Sequence, residues 1–338
     1  MAMENAPPPP VQVLQMLMGL WVSQILAAAA RFGAADAIAR GVTSSDDIAA
    51  EAGADRDTFY RLLRAAATCG ILTETASRTF ALTPLGECLR TDAPGSLKDL
   101  IIAECAPGHW LPWGQLYDAV KSGRSFASEV LGMNVWDYYA KNHDEALSFA
   151  RGMGNLSAMV SQDVARLYDA KPFKTIVDIG GSQGVLLRGL LAQNADARGI
   201  IFDLPDVIEG AKHAFADDNR IDFVAGDFFS SVPAGADLYV LKSILHDWPD
   251  ERCAAILRNI RSASKAGAKL LVVEMLLPDH PQPTPVAFMD LNMLVMLNGR
   301  ERTAAELTKL LGDNGFNVAR VIPTGGMFSL IEADRASD

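Results

Sequence analysis

The sequence predicts an α/β protein: an open, mostly parallel sheet in the second half, with a separate helical piece in front of it. Three observations carry this. From residue 171 onward, short β-branched runs alternate with helical stretches, the rhythm of a parallel sheet. The first of those runs, Thr175-Ile176-Val177-Asp178-Ile179, breaks into the turn Gly180-Gly181-Ser182-Gln183-Gly184 and then into a leucine-rich helix from Val185 to Leu191. Before residue 170 the chain is alanine-rich and helical, with two glycine-closed helices followed by two short strands.

Taken in order, residues 1–10 include Pro7 to Pro10 and read as a disordered or polyproline lead-in. Residues 11–96 read as a winged-helix-like domain. Its first part, Val11 to about Ala39, is apolar over more than one face and reads as a buried helix that needs partners on several sides, from the same chain or a second subunit. A signal peptide or membrane span is disfavoured there, because the leader carries Glu4 but no Lys or Arg, and Gln12, Gln15, Ser23 and Gln24 interrupt the apolar run. Ser44 or Ser45 caps a helix ended by Gly53, and Asp55 to Thr68 forms a second helix closed by Gly70. Residues 71–74 and 78–83 then read as the two strands of a wing.

A winged helix invites a DNA-binding reading, and charge opposes it. Residues 41–92 carry five arginines and no lysine against eight acids. The whole chain has a net charge of −11, the wrong sign for a surface that tracks phosphates. Packing and dimerisation are the expected role. Residues 97–170 read as a helical linker rich in aromatics, including Trp110, Trp113, Tyr138, Tyr139 and Phe149, most of them core or interface and a minority lining an apolar pocket. The four cysteines lie far apart and form neither a disulfide framework nor a zinc site, which fits a reducing cytoplasm; no metal cluster is visible.

Residues 171–338 read as the ligand-binding domain. Four further strands follow the first at 199–203, 221–227, 236–241 and 269–274, with late strands near 318–322 and 327–332. In open α/β sheets, ligands sit at the carboxyl ends of the strands. There the sequence places Asp178, Asp203 (25 residues later) and Asp227, a series suited to a nucleoside whose ribose hydroxyls need carboxylate acceptors. A dinucleotide fingerprint fails, because Ser182 stands where G-x-G-x-x-G requires its second glycine. After the fourth strand comes Leu245-His246-Asp247-Trp248-Pro249-Asp250, whose imidazole suits a general base near neutral pH. Glu274, at the expected end of the fifth strand, and Glu301, just before the last helix, are the acids placed to orient it.

These residues carry a resemblance. Asp178-Ile179-Gly180-Gly181-Ser182-Gln183-Gly184, Phe202-Asp203-Leu204-Pro205, Gly226-Asp227-Phe228-Phe229, the His246 segment and Gly299-Arg300-Glu301-Arg302-Thr303 together are similar to the caffeic-acid and acetylserotonin type of S-adenosylmethionine-dependent O-methyltransferases. The winged-helix module resembles that family's dimerisation domain, so the likeness spans nearly the whole chain. It implies a Rossmann-like seven-stranded methyltransferase sheet with a final antiparallel strand, S-adenosylmethionine as cofactor and a homodimer formed through the N-terminal domain. It also implies roles: Asp178, Gly180 and Gly181 around the methionine portion; Asp203 and Leu204 at the ribose; Gly226, Asp227 and Phe228 around the adenine; Lys242 and Ser157 close to the cofactor. His246 matches the catalytic base, flanked by Glu274 and Glu301. Met153, Trp110, Asp247, Met289, Asp290 and Met293 are the expected acceptor contacts, the methionines forming an adaptable wall. Two departures stand out: Ser182 and Asn298 each replace a glycine common in the family.

The expected chemistry is metal-free. A phenol or enol with a pKa of about 10 is a poor nucleophile at neutral pH until a base takes its proton. Attack on the sulfonium methyl is then accelerated by held geometry, where effective molarities reach about 10⁵–10⁸ M. Competing expectations are N-methylation, a relative that binds the cofactor without transferring a methyl group, and a winged-helix regulator. Neither nucleic acid nor membrane is an expected partner.

Overall fold

A computed structural model of the chain describes residues 7–214 and 218–337. It divides into two compact units, Met1–Trp110 with Trp136–Asn155 and Leu111–Val135 with Leu156–Asp338. The segment 97–170, expected as a linker of its own, is therefore shared between the two.

In the first unit, the helix Pro9–Arg31 starts inside the expected lead-in; residues 1–6 lie outside the described residues. Pro9 and Pro10 sit in its first turn, where a missing N–H loses no intrahelical bond. The expectation of a buried helix holds only for its last turns, where Ala27, Ala29 and Ala30 are buried. Val13, Leu14, Met16, Leu17, Leu20 and Trp21 are exposed. Among the described residues this is the one helix long and apolar enough to cross a membrane by length and composition.

The winged-helix pattern follows as read. Ser44 accepts a hydrogen bond from the amide of Asp46 to cap Ser45–Glu51, and Asp55 accepts from Thr58 at 2.9 Å to cap Arg56–Thr68. Strands β1 (Leu72–Ala76) and β2 (Thr79–Leu82) pair antiparallel over a core of Ile48, Phe59, Leu63 and Phe80. Arg78, at the tip of the wing, donates to Asp46 at 2.7 Å and pairs with Asp57 at 3.2 Å, so its charge is already matched inside the unit.

The second unit is built on one mixed sheet. Its strands are β3 (Thr175–Ile179), β4 (Arg198–Asp203), β5 (Ile221–Ala225), β6 (Leu238–Lys242), β7 (Lys269–Leu277), the two-residue β8 (Arg302–Thr303), β9 (Phe316–Pro323) and β10 (Phe328–Arg335). They lie in the order β5-β4-β3-β6-β7-β10-β9, with β8 on the end of β7. The first five run parallel, and β10 is antiparallel to both neighbours. The seven-stranded expectation is met on the main path, and β8 is an addition. Both faces are covered, which is why β3, β6 and β7 read as nearly unbroken apolar runs. Val164, Tyr168, Leu187 and Leu190 fill one side; Ile256, Leu257, Ile260, Leu311 and Phe316 fill the other.

Two boundaries differ from the sequence reading. β7 runs to Leu277, because β10 pairs as far as Met275 and β8 pairs Leu276 and Leu277, so Glu274 lies inside the strand rather than at its end. β5 stops at Ala225, which puts Asp227 in the turn beyond it.

Candidate active site

Two structures stand at the carboxyl edge of this sheet. The first is the glycine turn. The backbone leaves β3 through positive φ at Gly180 (67°), Ser182 (48°) and Gly184 (70°). The Gly180 amide donates to the Phe202 carbonyl at 2.8 Å. A Cβ on Gly180 would strike Ile244, and one on Gly181 would lie 2.9 Å from the Asp178 carboxyl carbon. Asp203 closes the turn: its Oδ2 accepts from Ser182 at 2.9 Å and its Oδ1 from Leu204 at 2.7 Å. Ser182 thus adopts the left-handed conformation a glycine would and uses its amide to hold Asp203. Asp178 is buried below the turn, and burial pushes its carboxyl up to about 7 against the pull of Lys242. Burial likewise raises Asp203, opposed by the two amides it accepts from.

Beside this turn, Gly226 donates its amide to the Asp203 carbonyl at 2.9 Å, and a Cβ there would meet the Phe202 ring at 2.5 Å. Asp227 is exposed and accepts from the Phe229 amide at 2.8 Å. Phe228, Phe229 and Trp248 pack edge to face, and Arg252 lies 3.5 Å from the Phe229 centroid. Trp248 Nε1 is buried without a hydrogen-bond partner.

The second structure is the loop that carries His246. It follows β6 and makes one 3₁₀ turn, Leu245–Asp247. Glu274 reaches across from β7 and accepts from the amides of Ile244 (3.1 Å) and Leu245 (2.9 Å). Pairing of β8 with β7 brings Glu301 to the same place, and the Glu301 amide is fixed by Asp290 Oδ1 at 2.9 Å. Glu301 Oε1 then lies 2.8 Å from His246 Nδ1, with Glu274 Oε2 3.8 Å from the same nitrogen and Asp247 Oδ1 3.3 Å from Nε2. Glu301 and Glu274 are each 3% exposed, so this contact is made almost without water.

Electrostatics in this pocket are strongly coupled. Burial pulls the imidazole's pKa down, yet Glu274, Asp247 and Glu301 outweigh it and hold His246 at about 10. Burial pushes Asp247 up to about 7, with His246 pulling the other way, and it raises Glu274 too. Lys242, at the end of β6, is lowered by burial against the attraction of Asp178 and Glu274. In the free protein the cluster therefore retains a proton at neutral pH.

With this geometry in place, comparison with known proteins is decisive. The O-methyltransferase domain model matches residues 113–317, and the O-methyltransferase dimerisation domain model matches residues 14–92. The chain belongs to the O-methyltransferase family. A phenazine O-methyltransferase of Lysobacter antibioticus is 38% identical over 95% of both chains. An 8-amino-8-demethylriboflavin N,N-dimethyltransferase of Streptomyces davaonensis is 30% identical over 95% of this chain and 94% of its own. The crystal structure of human N-acetylserotonin methyltransferase in complex with its cofactor superposes with a TM-score of 0.90 at 28% identity, over 99% of this chain and 100% of that one. The enzyme is an S-adenosylmethionine-dependent O-methyltransferase of small molecules.

The residues present fit that cofactor. The turn at Gly180 and Gly181 has no room for a Cβ at either position and so presents bare backbone, Asp203 keeps lone pairs for ribose hydroxyls, and the Phe228–Trp248 ring cluster offers flat apolar surface. Leu204 is exposed beside Asp203. Ser157 lies on the helix His143–Leu167, half-buried, its carbonyl accepting from Ser161. Met293 is buried, and Met289 takes a contact from Asn292 at 3.7 Å. Asp290, expected on the acceptor, has one oxygen occupied in fixing Glu301. Trp110 and Met153 belong to the first unit.

Sequence reading missed the parts that hold the loop from behind. Arg302 is buried and donates to the carbonyls of Leu245 (2.8 Å) and Trp248 (2.9 Å) and to Asp250 (2.7 Å). The Arg300 amide donates to the His246 carbonyl at 2.8 Å, and any Cβ on Gly299 would overlap that carbonyl. Asn298 takes a left-handed φ of 60°, supplying the conformation a glycine would, while its side chain accepts from the Ser125 amide. An arginine three residues beyond a glycine, Gly299-Arg300-Glu301-Arg302, is the available signal in the sequence.

Proposed function

We propose that the enzyme methylates a phenolic or enolic hydroxyl of a small aromatic metabolite, with His246 as general base and no metal in the reaction. The observation that carries this reading is the 2.8 Å contact between His246 Nδ1 and the buried Glu301. A carboxylate there holds the ring hydrogen on Nδ1, so Nε2 accepts the substrate's proton once the proton that the free cluster retains has left it. Glu301 and Glu274 then stabilise the imidazolium that forms, while Glu274 and Arg302 keep the loop from shifting. When bound at the glycine turn, the cofactor supplies an electrophilic methyl group on a sulfonium sulfur, and with it a positive charge that opposes the proton resting on the imidazole. Gly180, Gly181, Asp203 and Phe228 would hold it; Asp247, Met289 and Met293 are proposed around the acceptor.

The test is methyl transfer from labelled S-adenosylmethionine to paired hydroxy- and amino-substituted aromatics after dialysis against a chelator. Label on the hydroxyl compounds at an unchanged rate supports the reading. Label on the amines alone favours the second one, N-methylation, which the riboflavin-related N,N-dimethyltransferase motivates. A homodimer is proposed through the matched dimerisation domain, where Val13, Leu14, Leu17 and Trp21 would find the partners they lack. Light scattering of Leu17→Glu against the parent tests it: the parent should elute at twice the mass of its chain and the variant at one.

A further inference from the structure

The geometry points to a second ligand for the His246 pocket: a borderline divalent cation such as Zn²⁺, held by His246 Nδ1, Glu274 and Glu301 when the pocket is not engaged in methyl transfer. The three residues each offer one ligand atom, and those atoms all lie within 4.8 Å of one another. Two ligands about 2.1 Å from a tetrahedral ion sit roughly 3.4 Å apart, so closing on an ion requires side-chain movement of about an ångström. Two buried oxygens already await a partner, since Glu274 Oε2 and Glu301 Oε2 make no hydrogen bond. A small void of about 10 Å³ is lined by His246, Glu274 and Glu301 together with Leu245, Met275 and Leu307. That is the space of a single small ligand.

The donor set decides which one. Two carboxylates and an imidazole, with no thiolate, suit Zn²⁺, Co²⁺ or Ni²⁺ better than a soft ion, and a ring nitrogen disfavours Mg²⁺ and Ca²⁺. Two glutamates also neutralise a doubly charged ion, whose burial beside Leu245, Met275 and Leu307 is otherwise costly. Arg300 and Arg302 also border the void, but Arg300 is paired with Glu306 at 3.1 Å and the Arg302 guanidinium is committed to Asp250 and two carbonyls.

Binding would act through the imidazole tautomer, a consequence that rests on the base reading above. The ion displaces the hydrogen from Nδ1 and the imidazolium's second proton is released to solvent, so the single hydrogen the ring keeps sits on Nε2. Nε2 is then a donor and cannot accept a proton from the substrate. The cation is an inhibitor here, distinct from any catalytic metal.

The experiment is titration of the metal-free enzyme with Co²⁺, read by its visible absorption, with Zn²⁺ uptake measured by equilibrium dialysis. Glu301→Gln, Glu274→Gln and His246→Gln are run alongside, each checked for folding by its thermal midpoint. The expected result is one ion per chain in the parent, displaced by Zn²⁺, with affinity weakened about tenfold or more in every variant. Uptake no greater than that of a His246→Gln/Glu301→Gln double variant overturns the inference. A methyl-transfer assay with Zn²⁺ separates the two readings. If the ion occupies the site and activity survives, the metal site stands and the base assignment falls.

Discussion

The glycine turn and the His246 loop sit side by side at the edge of one sheet, but they are built in different ways. Residues 178–184 hold their shape by backbone conformation: three positive φ values, two positions that exclude a Cβ, and a carboxylate from the adjacent strand. The His246 loop holds its shape by side chains from far away in sequence, with Glu274 from β7, Glu301 just before β8, Arg302 from β8, and Asp290 behind Glu301. Replacement should therefore act differently in the two places. In the turn, added bulk does the damage; in the loop, removed charge does.

The largest effect should come from His246→Gln, which removes the acceptor nitrogen from a folded site. Methyl transfer to an unactivated phenol should fall about 10²–10⁴-fold, with cofactor affinity measured by calorimetry unchanged. Glu301→Gln should lower the same rate about 10²-fold. That is less than the ~10⁴ seen when a triad acid is lost, because Glu274 still faces the same nitrogen. Gly180→Ala reverses the pattern: overlap with Ile244 at a φ of 67° should weaken cofactor binding about tenfold, while the rate at saturating cofactor changes little. Equal losses of affinity in Gly180→Ala and His246→Gln would erase the distinction.

The smallest effect concerns the acid buried under the turn. Burial lifts the Asp178 carboxyl from its ordinary 3.8 to about 7, so the folded protein binds the extra proton between these values. Stability from this group is fully present below about pH 4 and is lost as pH rises through 7. Asp178→Asn removes that dependence. Its thermal midpoint, relative to the parent, should be higher at pH 8 than at pH 5, in protein without cofactor.

The same contrast explains what could be read from the chain beforehand. Features written in neighbouring residues were legible: the strand–turn–helix at Thr175, the caps at Ser44 and Asp55, and the acid at the end of β4. The His246–Glu301 pairing was placed by motif likeness, but no periodicity reveals that Glu301 spans 55 residues to reach the ring. The charge of Glu274 interrupts the apolar run and so reads as a strand end, but Met275 to Leu277 continue the strand, and only pairing partners mark where it stops. The apolar pattern from Val11 to about Ala39 reads as buried, but exposure depends on what lies against a helix, and much of Pro9–Arg31 is exposed in the single chain.

The central claim is that His246, oriented by Glu301, takes the proton from the acceptor hydroxyl. It is tested most directly by comparing single-turnover methyl transfer in the parent and His246→Gln over hydroxyl acceptors of graded acidity. An acceptor already ionised at the assay pH needs no base, so the parent-to-variant ratio should shrink toward one as acceptor pKa falls below that pH. A ratio that stays the same across the series would contradict the assignment.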